Sequence, residues 1–198
     1  MRDEPSSGHC ETGPVLFIPS MSARGMSLTG FRFILTVKRK TEAGMIRVEK
    51  ADPCAPESQR LINALSAELA AITGDDGRRH FAMAAMDEAR ALWVVARNHQ
   101  GVAVGCGAIR PLTETVAELK RMYSDRSDAG IGRALLTFLE ESAPGMGYTE
   151  IWLETRAVNH KAVRFYQNSG YNRIANYGPY INREEAVCFA KVLRDERE

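Results

Sequence analysis

From residue 45 onward the apolar positions fall into short, regular runs, and their spacing predicts most of the elements. IRVEKA (46–51) alternates apolar and polar residues, as a half-buried strand does. PESQRLINALSAELAAIT (56–73) sets Leu61, Ile62, Leu65, Leu69 and Ile72 at helical spacing, with Gly74 just past the end. FAMAAMDEARA (81–91) reads as a weaker helix. LWVVAR (92–97) and VAVGCGAIRPL (102–112) flank the turn NHQG, where Gly101 supplies the reversal of a hairpin. TETVAELKRMY (113–123) alternates through Val116, Glu118, Lys120 and Met122, which places all four on one face of a strand.

SDAGIGRALLTFLEE (127–141) opens on two glycines and continues as a helix with Leu135, Phe138, Leu139 and Ser142 on one side. YTEIWLET (148–155) is a short buried-type strand. NHKAVRFYQNSG (159–170) predicts a helix with Asn159 as N-cap, Ala162, Val163 and Tyr166 sharing a face, and Gly170 as the stop. GYNRI (170–174) and EEAVCFAKVL (184–193) close the chain as strands. The order β-α-α-β-β-β-α-β-α-β-β is that of a mixed α/β domain over residues 45–198. Residues 1–44 differ in composition, being rich in Ser, Gly, Pro and Thr, with VLFIP and FRFILTV as their only sizeable apolar runs. Two readings stand for them: a flexible extension, or a stretch upstream of a natural start at Met45.

Composition narrows the function classes. The 198 residues carry a formal net charge of +1, with 44% hydrophobic and 26% charged positions, as expected of a soluble globular domain. A near-balanced charge gives no case for nucleic acid or an anionic membrane as partner, since either needs a surplus of Lys and Arg. No apolar run approaches the ~18 residues of a membrane span, and the acidic start MRDEPSSGHCETG is no secretory signal. The four cysteines lack the paired spacing of a disulfide framework or zinc site. Cys106 and Cys188 lie in apolar runs and read as buried, reduced thiols, which fits a cytoplasmic location. No metal site is predicted.

The glycine turn carries the first chemistry. The leading N–H groups of a helix have no internal partner and sit at the positive end of its dipole. Glycines let an anion come close to them. Ala129, Gly130, Ile131, Gly132, Arg133 and Ala134 therefore form a candidate phosphate cradle. A Walker loop would need Gly-Lys-Ser/Thr where Gly132-Arg133-Ala134 stands, and a dinucleotide fingerprint would need a third glycine where Leu135 stands. By itself the turn is equally compatible with a glycine needed only for a tight bend.

Together with NHKAVRFYQNSGY, the turn resembles the GNAT superfamily of acetyl-CoA-dependent N-acetyltransferases. In that superfamily a Q/R-x-x-G-x-G/A turn holds the CoA pyrophosphate, and an N-x-x-A-x-x-F-Y-x-x-x-G-F/Y segment lines the thioester end. Asn159, Ala162, Phe165, Tyr166, Gly170 and Tyr171 match the second pattern throughout. GCGAIRPL, AELKRMY, GYTEIWLETR and AVCFAKVL are similar to its strands, so the likeness runs from about Met45 to Leu193. The resemblance implies a mostly antiparallel central sheet, flanked by helices and splayed in the middle, with acetyl-CoA as cosubstrate. One departure is plain: Ser127 occupies the Q/R position, and Ala129 stands where a basic residue is common. Two positive contributions are missing there, which predicts weakened affinity for acetyl-CoA.

The resemblance also implies roles. Tyr166 is placed to donate a proton to the leaving thiolate, the alternative being a packed Tyr bonded to a backbone carbonyl. Glu118 is the first candidate for general base and Glu154 the second, with a water chain as a further route for the proton. The N–H of Met122 or Tyr123 would donate to the oxyanion of a tetrahedral intermediate. Asn159 is expected to reach the CoA arm, or to cap its helix, or both. Arg110, Arg156, Tyr177, Tyr180 and Arg183 are candidates to line the acceptor pocket, and the arginines favour an amine that also bears a carboxylate, such as an amino acid-like molecule. The activity implied is acetyl transfer to the primary amine of a small molecule. The rival reading is a CoA-sensing or degenerate domain without turnover, motivated by the non-basic turn. Dimers are common in the superfamily, and a homodimer is compatible with the resemblance.

Overall fold

The computed structural model describes residues 46–77 and 89–193. Predictions for the first 45 residues and for 81–88 fall outside this range. Ala89 and Arg90, at the end of the weaker predicted helix, form a turn.

The elements follow the predicted order. They are β1 (Arg47–Lys50), α1 (Pro56–Thr73), β2 (Leu92–Arg97), β3 (Ala103–Pro111), β4 (Val116–Ser124), α2 (Ile131–Ser142), β5 (Glu150–Arg156), α3 (His160–Asn168), β6 (Asn172–Ile174) and β7 (Ala186–Val192). Short 3₁₀ turns occupy Pro144–Met146 and Gly178–Tyr180. β4 starts later than its alternation suggested. Thr113 Oγ1 accepts from the amides of Thr115 and Val116, so TET belongs to the β3–β4 turn.

The seven strands form one sheet in the order β1-β2-β3-β4-β5-β7-β6. All pairs are antiparallel except β4–β5. α1 packs Leu61 and Ile62 on Trp93, Val95, Cys106 and Ala108 on one face. On the other face α2 buries Ile131, Leu135, Leu136, Phe138 and Leu139 against Val94, Ile109, Leu119 and Leu153, joined there by Tyr166 of α3. β2 is buried along five of its six residues, which is why it shows no apolar–polar alternation. Apolar burial of this kind, at about 25 cal/mol per Å² of area removed from water, is the main favourable term for the fold. Ile72 is 39% exposed: the C-terminal turn of α1 leaves the sheet.

Cys106 and Cys188 are free and buried, as expected.

Two departures from regular pairing shape the middle of the sheet. β4 and β5 pair only from Val116↔Glu150 to Glu118↔Trp152. Beyond that point β4 stays with β3 as far as Ser124, while β5 stays with β7 as far as Arg156↔Ala186. The sheet therefore opens, as the resemblance implied. The second departure is a bulge in β4. Ala108 pairs with Lys120 and Cys106 with Tyr123, so three steps on β4 answer two on β3. Arg121, at φ 54°, takes up the extra residue. The bulge corrects one prediction. Met122 does not share the face of Glu118 and Lys120, because the extra residue turns it over to pack beside Gly107 and Leu139 on the α2 side.

Two glycines of β3 make room for this arrangement. A Cβ on Gly105 would stand 2.7 Å from both Ile131 Cγ2 and the Tyr123 carbonyl oxygen, and one on Gly107 would stand 2.6 Å from Met122 Sδ. The first clash includes fixed backbone, the second the end of a flexible thioether. Gly105→Ala is expected to destabilise the protein by about 1–3 kcal/mol, and Gly107→Ala by less. Urea denaturation midpoints of the two variants check the order.

Candidate active site

The opening between β4 and β5 is a cleft of about 340 Å³. Its walls come from the unpaired stretch of β4, the end of β5, the start of α3, the C-terminal part of α1 and the segment around Tyr180 and Arg183. Past Glu118, β4 has no strand beside it on the β5 side, so its backbone, including Met122 and Tyr123, borders the cleft directly.

Gly132, at the start of α2, borders the cleft too. Gly130 precedes the helix at φ 84°, a left-handed conformation that favours glycine. No side chain caps α2 and no acidic residue lies in its first turn. The first internal bond of the helix runs from Ala134 N to Gly130 O. The N–H groups of Ile131, Gly132 and Arg133 thus have no partner among the described residues. The space a Cβ would take on Gly132 meets only the Phe165 ring at 3.6 Å, so tight packing does not explain the glycine. An open helix N-terminus with a glycine on its cleft side fits an anionic phosphate group.

The nearby cations are engaged elsewhere. Arg126 pairs with Glu68 of α1, and Arg133 reaches the Asn168 carbonyl at 3.4 Å. Ser127 folds back on Asp125, donating from its hydroxyl at 2.7 Å and its amide at 2.9 Å.

Asn159 lines the cleft and caps α3, its Oδ1 accepting from the Ala162 amide at 3.2 Å. About two turns on, Tyr166 is held by edge-on contacts with Phe165 and Tyr171, at ring separations of 5.2 and 5.7 Å, and lines the cleft. Its hydroxyl makes no hydrogen bond among the described residues, so the packed alternative with a backbone carbonyl is not what the geometry holds. Burial, helped by the charge of Glu154, pushes its pKa well up and keeps the phenol protonated.

The two glutamates differ. Glu118 is 2% exposed. Its Oε2 accepts from Arg110 Nη2 at 2.8 Å and Nε at 3.0 Å, and its Oε1 meets Lys120 Nζ at 2.9 Å and the Tyr177 hydroxyl at 3.0 Å. Burial alone would raise its pKa, but Lys120 and Arg110 override it and hold the carboxyl below the usual range. A carboxylate so tied is a poor proton acceptor, and Glu118 does not line the cleft. Glu154 does line it, and burial raises its pKa against the opposing pull of Lys120 and Arg156. The order of the two candidates is therefore reversed.

Arg110 and Tyr177 follow Glu118 into the interior. Both hold its carboxylate, and neither borders the cleft. Tyr180, Arg156 and Arg183 do border it. Lys120 Nζ donates to the Tyr180 hydroxyl, which gives Tyr180 a fixed pose. Arg121 was not singled out from sequence. From the bulge it reaches Ser66 Oγ, the Asp76 carbonyl and the Gly77 carbonyl, at 3.3, 3.4 and 3.0 Å, and so ties the end of α1 to β4 at the cleft wall. Among the described residues no cluster of three or more His, Cys, Asp or Glu side chains could hold a metal, and no helix is long and apolar enough to cross a membrane.

The sheet thus opens between its parallel strands, with an uncapped helix start on one side of the opening and a tyrosine and a carboxylate lining it. The sequence pattern of the Acetyltransferase (GNAT) family matches residues 58–171, and the chain belongs to that family. Over 91 residues it is 36% identical to the IAA acetyltransferase of Azospirillum brasilense, covering 44% of this chain and 59% of that protein. Over 70 residues it is 37% identical to the [ribosomal protein bS18]-alanine N-acetyltransferase of Escherichia coli K12, covering 33% and 47%. The chain thus spans about half the length of these curated relatives. A solved Klebsiella pneumoniae structure assigned as an acyl-CoA N-acyltransferase superposes with a TM-score of 0.64 at 28% identity, covering 75% of this chain and 98% of that one.

Proposed function

We propose that the chain is an N-acetyltransferase that moves an acetyl group from acetyl-CoA to the primary amine of a small molecule by direct attack. The observation that carries this reading is the meeting of Tyr166, Glu154 and the open start of α2 on one cleft.

Bound acetyl-CoA would supply an activated acyl group as a thioester. The free N–H groups of Ile131, Gly132 and Arg133 would hold its pyrophosphate, with Ala129 and Gly130 shaping the turn. Asn159 would use its amide Nδ2 toward the arm of the molecule while its Oδ1 caps α3. On the β4 wall the N–H of Met122 or Tyr123 would donate to the acyl oxygen as negative charge develops there. Glu154 would accept a proton from the attacking amine. Tyr166 would deliver its phenolic proton to the departing sulfur and recover one from water. The raised pKa values suit both roles: a carboxylate with higher affinity for a proton is a better base near neutral pH, and a phenol that stays protonated is a ready donor.

The test starts with calorimetric titration of acetyl-CoA, followed by initial rates over an amine panel. Saturable binding with turnover supports the reading. Binding without turnover of any amine would favour a CoA-sensing domain, and no binding by folded protein would overturn both. With an acceptor in hand, kcat/KM should rise with pH through the pKa of Glu154, because only the deprotonated form accepts a proton. Glu154→Gln should remove that limb and lower kcat by about 10²-fold. An unchanged pH profile would give the proton to a water chain instead.

A further inference from the structure

β5 carries Trp152, Glu154 and Arg156 at alternate positions and therefore on one face. Glu154 and Arg156 both border the cleft, and two residues along a strand separate their Cα atoms by roughly 7 Å. Arg156 is not satisfied by the protein. Its Nε is buried and has no hydrogen-bond partner among the described residues. Its Nη1 comes no nearer than 4.0 Å to Glu185, a carboxylate that is itself 46% exposed. A buried guanidinium donor without an acceptor is a costly arrangement unless something else completes it.

Arg183 stands on the same cleft, just past the Gly178–Tyr180 turn. Among the described residues its guanidinium makes no ion pair or hydrogen bond. Both arginines line the same cleft as Glu154. Of the other charges on the cleft, Lys120 is held by Glu118 and Tyr180, Glu185 is the acid closest to Arg156, and Lys161 adds a further cation at the start of α3. The cleft thus offers a carboxylate for an amine, a guanidinium two residues along the same strand, and a second guanidinium from the segment after the Gly178–Tyr180 turn. Planar guanidinium matches planar carboxylate with paired hydrogen bonds.

Resting on the acetyl-transfer reading, we infer that Arg156 and Arg183 form a carboxylate subsite and that the acceptor is a compact amino acid, its amine at Glu154 and its carboxylate on the two arginines. The subsite selects against amines without an acid group, because those leave the exposed part of the Arg156 guanidinium and the Arg183 guanidinium without an anionic partner.

The experiment uses the full chain with acetyl-CoA and matched pairs of acceptors, each a free amino acid and its carboxamide. An amine bearing a phosphate in place of the carboxylate is included. Initial rates should favour the acids over the amides by about 10–100-fold in kcat/KM, mainly through KM. Arg156→Gln should collapse that preference to within about threefold, and Arg156→Lys should restore part of it. If Arg156→Gln fails to fold by circular dichroism, Arg183→Gln carries the same comparison. Equal rates for acids and amides, a preference unchanged in the variants, or a phosphate-bearing amine that outperforms the acids would each overturn the subsite. Should no acceptor turn over, calorimetric titration of acid and amide into the CoA-bound protein decides: acid binding no tighter than amide overturns it. Failure of the acetyl-transfer reading shows separately, as absence of acetyl-CoA binding or as binding without turnover of any amine in the panel.

Discussion

Tyr166→Phe is expected to lower kcat by about 10²–10⁴-fold, the range of a lost general acid, while the dissociation constant for acetyl-CoA stays within about twofold. The substitution removes one oxygen. That hydroxyl makes no hydrogen bond among the described residues, so its loss leaves no abandoned partner. The ring keeps its contacts with Phe165, Tyr171 and Phe189. Thermal stability should therefore barely change, which separates a chemical role from a packing role. Steady-state kinetics beside acetyl-CoA calorimetry gives the answer. An undiminished kcat would mean that solvent protonates the leaving sulfur.

Glu118→Ala is expected to cost about 3–5 kcal/mol of stability, because it strands two cations that the protein has drawn inward around one carboxylate. The side chain of Glu118 is 3% exposed, against 12% for Lys120 and 23% for Arg110. The Tyr177 hydroxyl loses its acceptor as well. The effect should depend on pH with a defined sign. The folded-state pKa of Glu118 lies below its unfolded value. The carboxylate therefore contributes stability fully above an unfolded pKa of about 4.3, and loses it as pH falls through the folded value. Urea midpoints of the parent and Glu118→Ala should differ most near neutral pH and converge in acid. A difference that persisted unchanged in acid would point to lost packing rather than lost charge.

Local rules reached far into this fold. The bounds of α1 and β2 coincide with the runs read from apolar spacing, Asn159 caps α3 as its residue type suggested, and Gly74 and Gly170 stop their helices in left-handed conformations. These features depend on residues within a few positions of one another. The bulge at Arg121 does not. Nothing in an arginine announces a positive φ, and the conformation is fixed by the β3 register and by carbonyls at the end of α1. One unseen extra residue was enough to turn Met122 to the opposite face. The roles of Glu118, Arg110 and Tyr177 were mixed for a related reason. Each was singled out as a chemical residue, but Arg110 meets Glu118 only through the strand register, and Tyr177 joins it from 59 positions away. Pairing of that range has no signature in a single sequence. Glu154 and Arg156 were easier to place, because plain strand alternation puts them on the cleft together.

The opening of the sheet is also a division of the chain. β1 to β4, with α1, lie within residues 47–124, and β5 to β7, with α3, lie within 150–192. Among the described residues every antiparallel ladder joins strands within one of these two blocks, and only the three-pair β4–β5 ladder joins one block to the other. The seam between two consecutively synthesised halves is the cleft to which the proposed chemistry is assigned, and α2, the linker that spans it, carries the open helix start.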